Sequence, residues 1–219
     1  MLNSFDNIQH VVYINLEKRT DRKEWVEHEL QVKLEFPQEK VLRFNAISLS
    51  NGAMGCSMSH LKCLENARDQ GWEHIFIVED DIQFLDPALF KTQLNGFLKQ
   101  HNTWDMLLIA GNNLLPYSPI DDTCVQVYNC LTTTGYIIRK HYYNTLIQNI
   151  RQGLELFIKN PQDKNKYAVD VYWLLLQQKD KWYLLIPLSV VQRENYSNIE
   201  QKTTNFTQFM LNLNKTIRF

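Results

Sequence analysis

Three carboxylates in a row, Glu79-Asp80-Asp81, follow directly on the apolar run 75–78 (IFIV). Carboxylates crowded at the end of a buried strand repel one another and are poorly solvated, a cost that a cation relieves. Mg²⁺ and Mn²⁺ prefer oxygen ligands and commonly take one or two carboxylates together with phosphate oxygens. Side chains alternate along a strand, so Glu79 and Asp81 are expected to share a face as metal ligands and Asp80 to point away. A solvated acidic turn is the alternative. A second constellation, Asn15, Arg19 and Arg22, follows the run 10–16. Two arginines three apart at a strand-to-helix junction suit a diphosphate, with helix N-terminal N–H groups adding donors; an exposed basic first turn is the other reading. The third is G-x-x-G-C-S-x-S-H, residues 52–60. Its glycines let backbone approach a ligand, and Ser57 or Ser59 at a helix N-terminus offers donors to an anion. His60 alternatively satisfies a neighbour. Neither GxGxxG nor GxxxxGK[ST] is present, so a nucleotide must be held by other means.

The elements that position these residues follow from apolar spacing. Residues 10–16 (HVVYINL), 41–47 (VLRFNAI), 75–78, 106–110, 135–139 and 183–191 read as strands. Helices are predicted over 21–34, 57–70, 86–100, 140–150 and 168–178, with a turn at 51–55. Asp86-Pro87 supplies an N-cap followed by Pro at N1, and Gly153 a C-cap. Strands separated by such helices indicate an α/β fold, a mostly parallel central sheet flanked by helices. Ligands of such sheets lie at the carboxyl ends of the strands. One domain over residues 1–199 and a polar, irregular tail over 200–219 are expected.

Composition removes other classes. The 219 residues hold 23 Lys+Arg against 24 Asp+Glu, with 44% hydrophobic and 21% charged residues. Wholesale disorder is excluded, and no basic excess suggests a nucleic-acid partner. The longest apolar run, 182–191, contains Pro187 and Ser189 and falls short of the roughly 18 residues of a membrane span. The N-terminal MLNSFDNIQH carries neither a basic nor an apolar leader segment, so a cytoplasmic protein is expected. Cys56, Cys63, Cys124 and Cys130 form no CxxC pair, which predicts reduced thiols and no structural zinc site.

Taken in order, several segments resemble glycosyltransferase family 25, which includes bacterial lipooligosaccharide and procollagen galactosyltransferases. They are VVYINLEKRTDR (11–22), GAMGCSMSHLKCLENA (52–67), IFIVEDDI (75–82), WDMLLIAG (104–111), TTTGYIIRKHYY (132–143), Val169-Asp170 and PLSVVQRENYSNI (187–199). The resemblance implies a GT-A-like fold, a UDP-sugar donor and Mn²⁺ or Mg²⁺. It implies inverting transfer of a galactose- or glucose-type hexose to a hydroxyl of a glycan or glycoconjugate acceptor. In that scheme Asp81 and Glu79 hold the metal against the donor diphosphate, with Asp80 beside them. Asn15, Arg19 and Arg22 match the donor-side segment, and Gly55, Cys56, Ser59 and His60 match G-C-x-x-S-H. Gln192 and Ser197 match a late segment near the diphosphate. Leu64 departs from the family, which often has an aromatic there.

The acceptor hydroxyl must lose its proton to a carboxylate. Asp170, at the opening of the helix 168–178, is the first candidate and Glu194 the second. A helix N-terminal carboxylate favoured by the dipole is the other role for Asp170. Two further functions compete: a non-catalytic sugar-nucleotide- or glycan-binding protein of the same fold, and a Mg²⁺-dependent phosphotransferase, for which no partner motif is present.

Overall fold

The computed structural model describes residues 2–197 and 202–216. In chain order come β1 (Val11–Asn15), α1 (Thr20–Glu27), β2 (Val41–Asn45), α2 (Gly52–Asp69), β3 (His74–Glu79), β4 (Ile82–Phe84), α3 (Pro87–Gln100) and β5 (Met106–Asn113). They are followed by β6 (Tyr117–Pro119), β7 (Cys124–Val127), β8 (Cys130–Arg139), α4 (Tyr143–Lys159) and three short helices, α5 (Lys164–Tyr167), α6 (Val169–Tyr172) and α7 (Leu174–Gln177). The chain then forms β9 (Trp182–Leu185), β10 (Val190–Gln192), β11 (Asn195–Ser197), β12 (Lys202–Thr204) and α8 (Thr207–Met210).

Eight strands form one sheet in the order β2-β1-β3-β8-β5-β9-β7-β6. Only β8 and β7 run against the other six, so the sheet is mostly parallel in direction though mixed in its ladders. Helices cover both faces, and the architecture is the expected α/β, GT-A-like one. Strand alternation separates the core into two layers. Val11, Tyr13, Phe76 and Val78 face the layer with α1 and α3, while Val12, Ile14, Ile75 and Ile77 face α2 and α4. Residues of β1 and of β3 up to Val78 are buried, the near-continuous apolar composition of a strand covered on both faces. Each such Val, Ile or Phe contributes about 1.5–3 kcal/mol of burial.

Local chemistry sets the helix starts. Asp86 accepts Leu89 N–H at 2.9 Å with Pro87 in the first turn, as predicted. The helix predicted from residue 57 instead begins at Gly52, because Asn51 caps it by accepting Met54 N–H at 3.1 Å. Gly153 does not cap α4. It lies inside the helix, where a Cβ would press on the Tyr172 ring at 2.9 Å. The predicted helix 168–178 is broken into α6 and α7, which are pinned by Trp173 Nε1–H and Gln177 Nε2–H donating to the Cys130 carbonyl. The predicted strand 183–191 divides into β9 and β10; the latter pairs with β4.

The C-terminal segment, expected to be irregular, is ordered where it is described. β12 pairs with β11, and Met210 of α8 is buried in the α1/α3 layer. Among the described residues no helix is long and apolar enough to cross a membrane.

Candidate active site

β1 and β3 run in parallel register with Ile14 opposite Glu79, so both strands end at one sheet edge. β8 is antiparallel to β3, with Val78 opposite Gly135, and residues 132–134 therefore enter the sheet beyond Glu79. This topology gathers Asn15, the acidic triplet and the start of β8 at the carboxyl edge.

The triplet does not continue the alternation of the strand. β3 stops at Glu79 and the chain turns at Asp80 and Asp81, so Asp80 does not point away from Asp81. Arg22 Nη1 reaches both, at 2.7 Å to Asp80 Oδ1 and 3.3 Å to Asp81 Oδ2. Asp80 is buried, and Asn15 Nδ2 donates to its Oδ2 at 2.8 Å. Asn15 also donates to the Arg19 carbonyl and accepts from Arg43 Nε at 3.1 Å. Burial raises the Asp80 carboxyl against the opposing pull of Arg22 and Asn15.

Asp81 is pushed up to about 8, first by burial, then by the charge of Glu79, with Arg22 opposing. Its Oδ1 is buried and has no hydrogen-bond partner. Three carboxylates share the nearby guanidinium of Arg22 and leave one buried oxygen bare, a set of hard oxygen donors that fits Mn²⁺ or Mg²⁺. Asp81 meets that fit directly. Glu79 meets it less fully, since both its oxygens already have partners.

Glu79 turns to the opposite side. Its Oε1 accepts Thr133 Oγ1–H at 2.6 Å and the Cys56 thiol at 3.6 Å, and its Oε2 accepts Gln192 Nε2–H at 3.1 Å. His60 Nε2 lies 3.5 Å from Oε1, and His60 Nδ1 shares a 2.9 Å hydrogen bond with the Tyr136 hydroxyl. Burial works to raise Glu79, but the pull of His60, then of Thr133 and Cys56, outweighs it and leaves the carboxyl below its ordinary value. Burial keeps the Tyr136 hydroxyl and the Cys56 thiol protonated, well above their ordinary values.

Asp170 belongs to this second side. Its Oδ2 accepts Thr132 N–H at 3.1 Å, and burial together with the Glu79 charge raises its carboxyl despite that bond. Thr132 holds φ at 73°, which is rare for a β-branched residue and marks backbone strain at a site. Ser57 fixes the same corner from α2: its hydroxyl donates to Ala53 O and accepts Val169 N–H at 3.1 Å. A raised carboxyl beside a fixed carboxylate suits a proton acceptor.

Other expected residues play different parts. A Cβ at Gly55 would collide with the Ile47 carbonyl oxygen, so the glycine lets the β2–α2 loop close on the helix. Ser59 is fully buried, donating to Gly55 O at 2.7 Å and accepting Ile47 N–H at 2.9 Å. Both residues are thus packing elements, and Ser57 and Ser59 are not donors at a helix start. His60 is fully buried, between the Tyr136 hydroxyl and Glu79. Arg19 is bidentate to Asp21 at 2.9 and 2.7 Å. Arg19 Nη1 and Arg22 Nη2 also donate to the Tyr196 carbonyl, at 3.3 and 3.0 Å. Gln192 joins the site through Glu79. Glu194 does not: it is exposed and accepts Asn205 Nδ2–H at 2.8 Å. The Ser197 backbone closes β11, and its side chain lies outside the described part of the structure.

Sequence reasoning missed Thr132, Thr133 and Tyr136 as site residues. The segment TTTGY contained the signal, as three consecutive threonines ahead of a strand-forming run. A cavity of about 490 Å³ adjoins the site at the carboxyl ends of β1 and β2, lined by Leu16, Glu17, Lys18, Asn45, Ala46 and Ser48.

This sheet, with its acidic turn at the carboxyl edge of β3, defines a GT-A-like domain. Residues 35–173 match glycosyltransferase family 25 (LPS biosynthesis protein), well over half the chain, and the chain belongs to that family. It is similar to procollagen galactosyltransferase 1 of Danio rerio, with 23% identity over 143 residues. That match takes in 60% of this chain but 23% of the relative, so the chain spans about a quarter of that protein's length. Among solved structures it is similar to mannose-1-phosphate geranyltransferase from Thermus thermophilus (8% identity, 80% of this chain and 72% of that one, TM-score 0.48). Another is a glycosyltransferase involved in glycosylation of the major capsid of PBCV-1 (9% identity, 81% and 93%, TM-score 0.45). A third is a Drosophila galactosyltransferase 7 mutant in complex with manganese, UDP-Gal and xylobiose (15% identity, 63% and 51%, TM-score 0.34).

Proposed function

We propose that this chain is a metal-dependent, inverting glycosyltransferase that moves a hexose from a UDP-sugar to a hydroxyl of a glycan or glycoconjugate. Galactose is the first sugar to test, because the matched relative is named a galactosyltransferase. One observation carries the reading: Asp81 keeps a buried, partnerless oxygen in the turn it shares with guanidinium-bonded Asp80, and the charge of Glu79 helps raise its carboxyl. A bound Mn²⁺ or Mg²⁺ supplies positive charge against the leaving diphosphate.

The chain's own residues do the rest. The cavity at the ends of β1 and β2 has the size of a small-ligand site and is the place for the nucleoside. Arg19 and Arg22 present N–H groups to the diphosphate, whose oxygens replace the Tyr196 carbonyl as acceptor. Asn15 holds Asp80, and Asp80 holds Arg22, so the donor side is fixed before substrate arrives. Asp170 takes the acceptor proton in a single displacement, its carboxyl made basic by burial and steadied by Thr132 N–H. Thr133, Gln192 and His60 keep Glu79 turned towards the same space.

The test is a screen of UDP-sugars for Mn²⁺-dependent release of UDP across a panel of glycan acceptors. Stimulation by acceptor, and its loss in excess EDTA, are the expected results. Full turnover in EDTA, or phosphate released from a simple monoester with no sugar nucleotide present, overturns the reading.

A further inference from the structure

A second convergence of ligating side chains lies away from the carboxylate turn. His101 follows α3, Asp121 sits in the β6–β7 turn, and Cys124 opens β7. Their Nε2, carboxylate oxygen and Sγ all lie within 4.8 Å of one another. His101 Nε2 is 2.7 Å from Asp121 Oδ2 and 3.7 Å from Cys124 Sγ, so oxygen and sulfur both aim at the same nitrogen. A single N–H satisfies one of them. The Cys124 thiol also has side-chain hydrogen bonds to Thr123 and Asp121, so nitrogen, oxygen and sulfur converge on one point.

The surroundings hold this arrangement. Thr123 donates to Asp121 Oδ1 through its N–H at 2.7 Å and its hydroxyl at 2.6 Å, and Cys124 N–H adds a third bond at 3.2 Å. Oδ1 is thus saturated, and Oδ2 is turned to His101. Gly96 of α3 lets Thr123 close in, since a Cβ there would lie 2.9 Å from the Thr123 methyl. Phe97 and Tyr183 pack against the His101 ring at 4.7 and 5.8 Å between centroids. β7 is four ladders from β3 in the sheet, roughly 19 Å at the usual strand spacing, so this cluster is separate from the acidic turn.

We propose that His101 Nε2, Asp121 Oδ2 and Cys124 Sγ form a binding site for a divalent ion of the zinc class, with a fourth position open to water. Nitrogen, carboxylate oxygen and thiolate sulfur are the donors this ion takes, and the harder Mn²⁺ and Mg²⁺ avoid sulfur. Tetrahedral ligation with ordinary bond lengths puts nitrogen and sulfur about 3.6 Å apart, close to the observed spacing. It puts nitrogen and oxygen about 3.3 Å apart, so Asp121 withdraws slightly as the ion enters. Burial, with the Asp121 charge, pushes the Cys124 thiol up to about 12, so binding displaces one thiol proton. The ion ties the end of α3 to β7. Sequence spacing gave no such indication, because the ligands are brought together by the sheet edge and not by a CxxC pair.

Cobalt titration of the purified full chain tests this without reference to sugar transfer. One sulfur-bound Co²⁺ per chain is expected, with sulfur-to-cobalt absorption in the near ultraviolet that Zn²⁺ displaces. Cys124→Ser should abolish that absorption, and Asp121→Asn should weaken binding tenfold or more. Cys56→Ser should leave it in place, which separates this site from the Cys56–His60–Glu79 group. If Cys124→Ser proves unfolded by circular dichroism, His101→Gln reads the same loss. A wild-type chain with no sulfur-to-cobalt absorption overturns the proposal, as does a band that survives Cys124→Ser and His101→Gln or disappears with Cys56→Ser.

Discussion

The two ends of β3 bury ionisable groups in opposite ways. At the amino end, His74 accepts the Gln9 N–H at 3.2 Å through Nε2 and is held neutral. Burial, then the positive charge of His10 and Arg139, drives its pKa down to about 4. At the carboxyl end, five elements bring side chains to three carboxylates, yet Asp81 keeps a bare oxygen and a pKa near 8. The amino end discharges its histidine and is complete in itself. The carboxyl end leaves one buried oxygen unsatisfied, and that oxygen is where the proposed cation would bind. The difference separates a stability element from a working one, and substitutions at the two ends should fail in different currencies.

The largest effect is expected at Asp81. Asp81→Asn removes the anionic oxygen at nearly constant volume, and turnover should fall by roughly 10⁴-fold or more while the melting temperature holds. Kinetics with saturating Mn²⁺ and a thermal melt check both halves, and an active Asp81→Asn chain makes the carboxyl end no different from the amino end. Asp170→Asn comes next. An amide oxygen still accepts Thr132 N–H, so the corner survives while the base is lost. The expected fall in kcat is about 10²–10⁴-fold with UDP affinity unchanged. Lost stability with near-normal turnover would reduce Asp170 to a support for residue 132.

Arg19→Ala is the gentler test of the donor side. Its partner Asp21 is largely exposed and tolerates the loss, whereas Arg22→Ala strips the cation from buried Asp80 and should also lower stability. A charge-assisted contact is worth about 1.5–3 kcal/mol, so UDP should bind at least about tenfold more weakly to Arg19→Ala. Unchanged affinity by calorimetry would return Arg19 to a role in capping its own turn.

What could be read in the sequence follows how local each cause is. The strand 75–78, the acidic triplet after it and the Asp86-Pro87 helix start are determined by neighbours in the chain, and all are found where expected. The glycines misled because their reasons are tertiary. Gly55 yields to the Ile47 carbonyl and Gly153 to the Tyr172 ring, neither of which leaves a mark on local spacing. Thr133 and Tyr136 were hidden for a similar reason: their partners Glu79, on the neighbouring strand, and His60, on α2, lie 54 and 76 residues away. Asp170 was reached through its place at a helix opening and the family resemblance, while its meeting with residue 132 depends on where β8 begins.

At the amino end no effect on turnover is expected; the change there concerns stability. His74 must be unprotonated at Nε2 to accept from Gln9, so the folded chain resists its protonation. The ordinary histidine value is 6.5 and the folded one about 4. Above pH 6.5 the residue is neutral in both states and its full contribution is present. As pH falls from 6.5 towards 4, the unfolded chain takes up the proton first and stability drains away, levelling once the folded histidine also titrates. The full loss is on the order of 3–4 kcal/mol, about 2.5 pKa units at about 1.4 kcal/mol each. His74→Gln keeps an acceptor for Gln9 and has nothing to titrate. Urea unfolding at pH 7 and pH 4.5 should therefore show a shallower acid loss in the variant, with transferase turnover at pH 7 unchanged. Equal acid losses in the two chains would mean that carboxylates elsewhere set the acid limit, and that the amino end of β3 contributes packing alone.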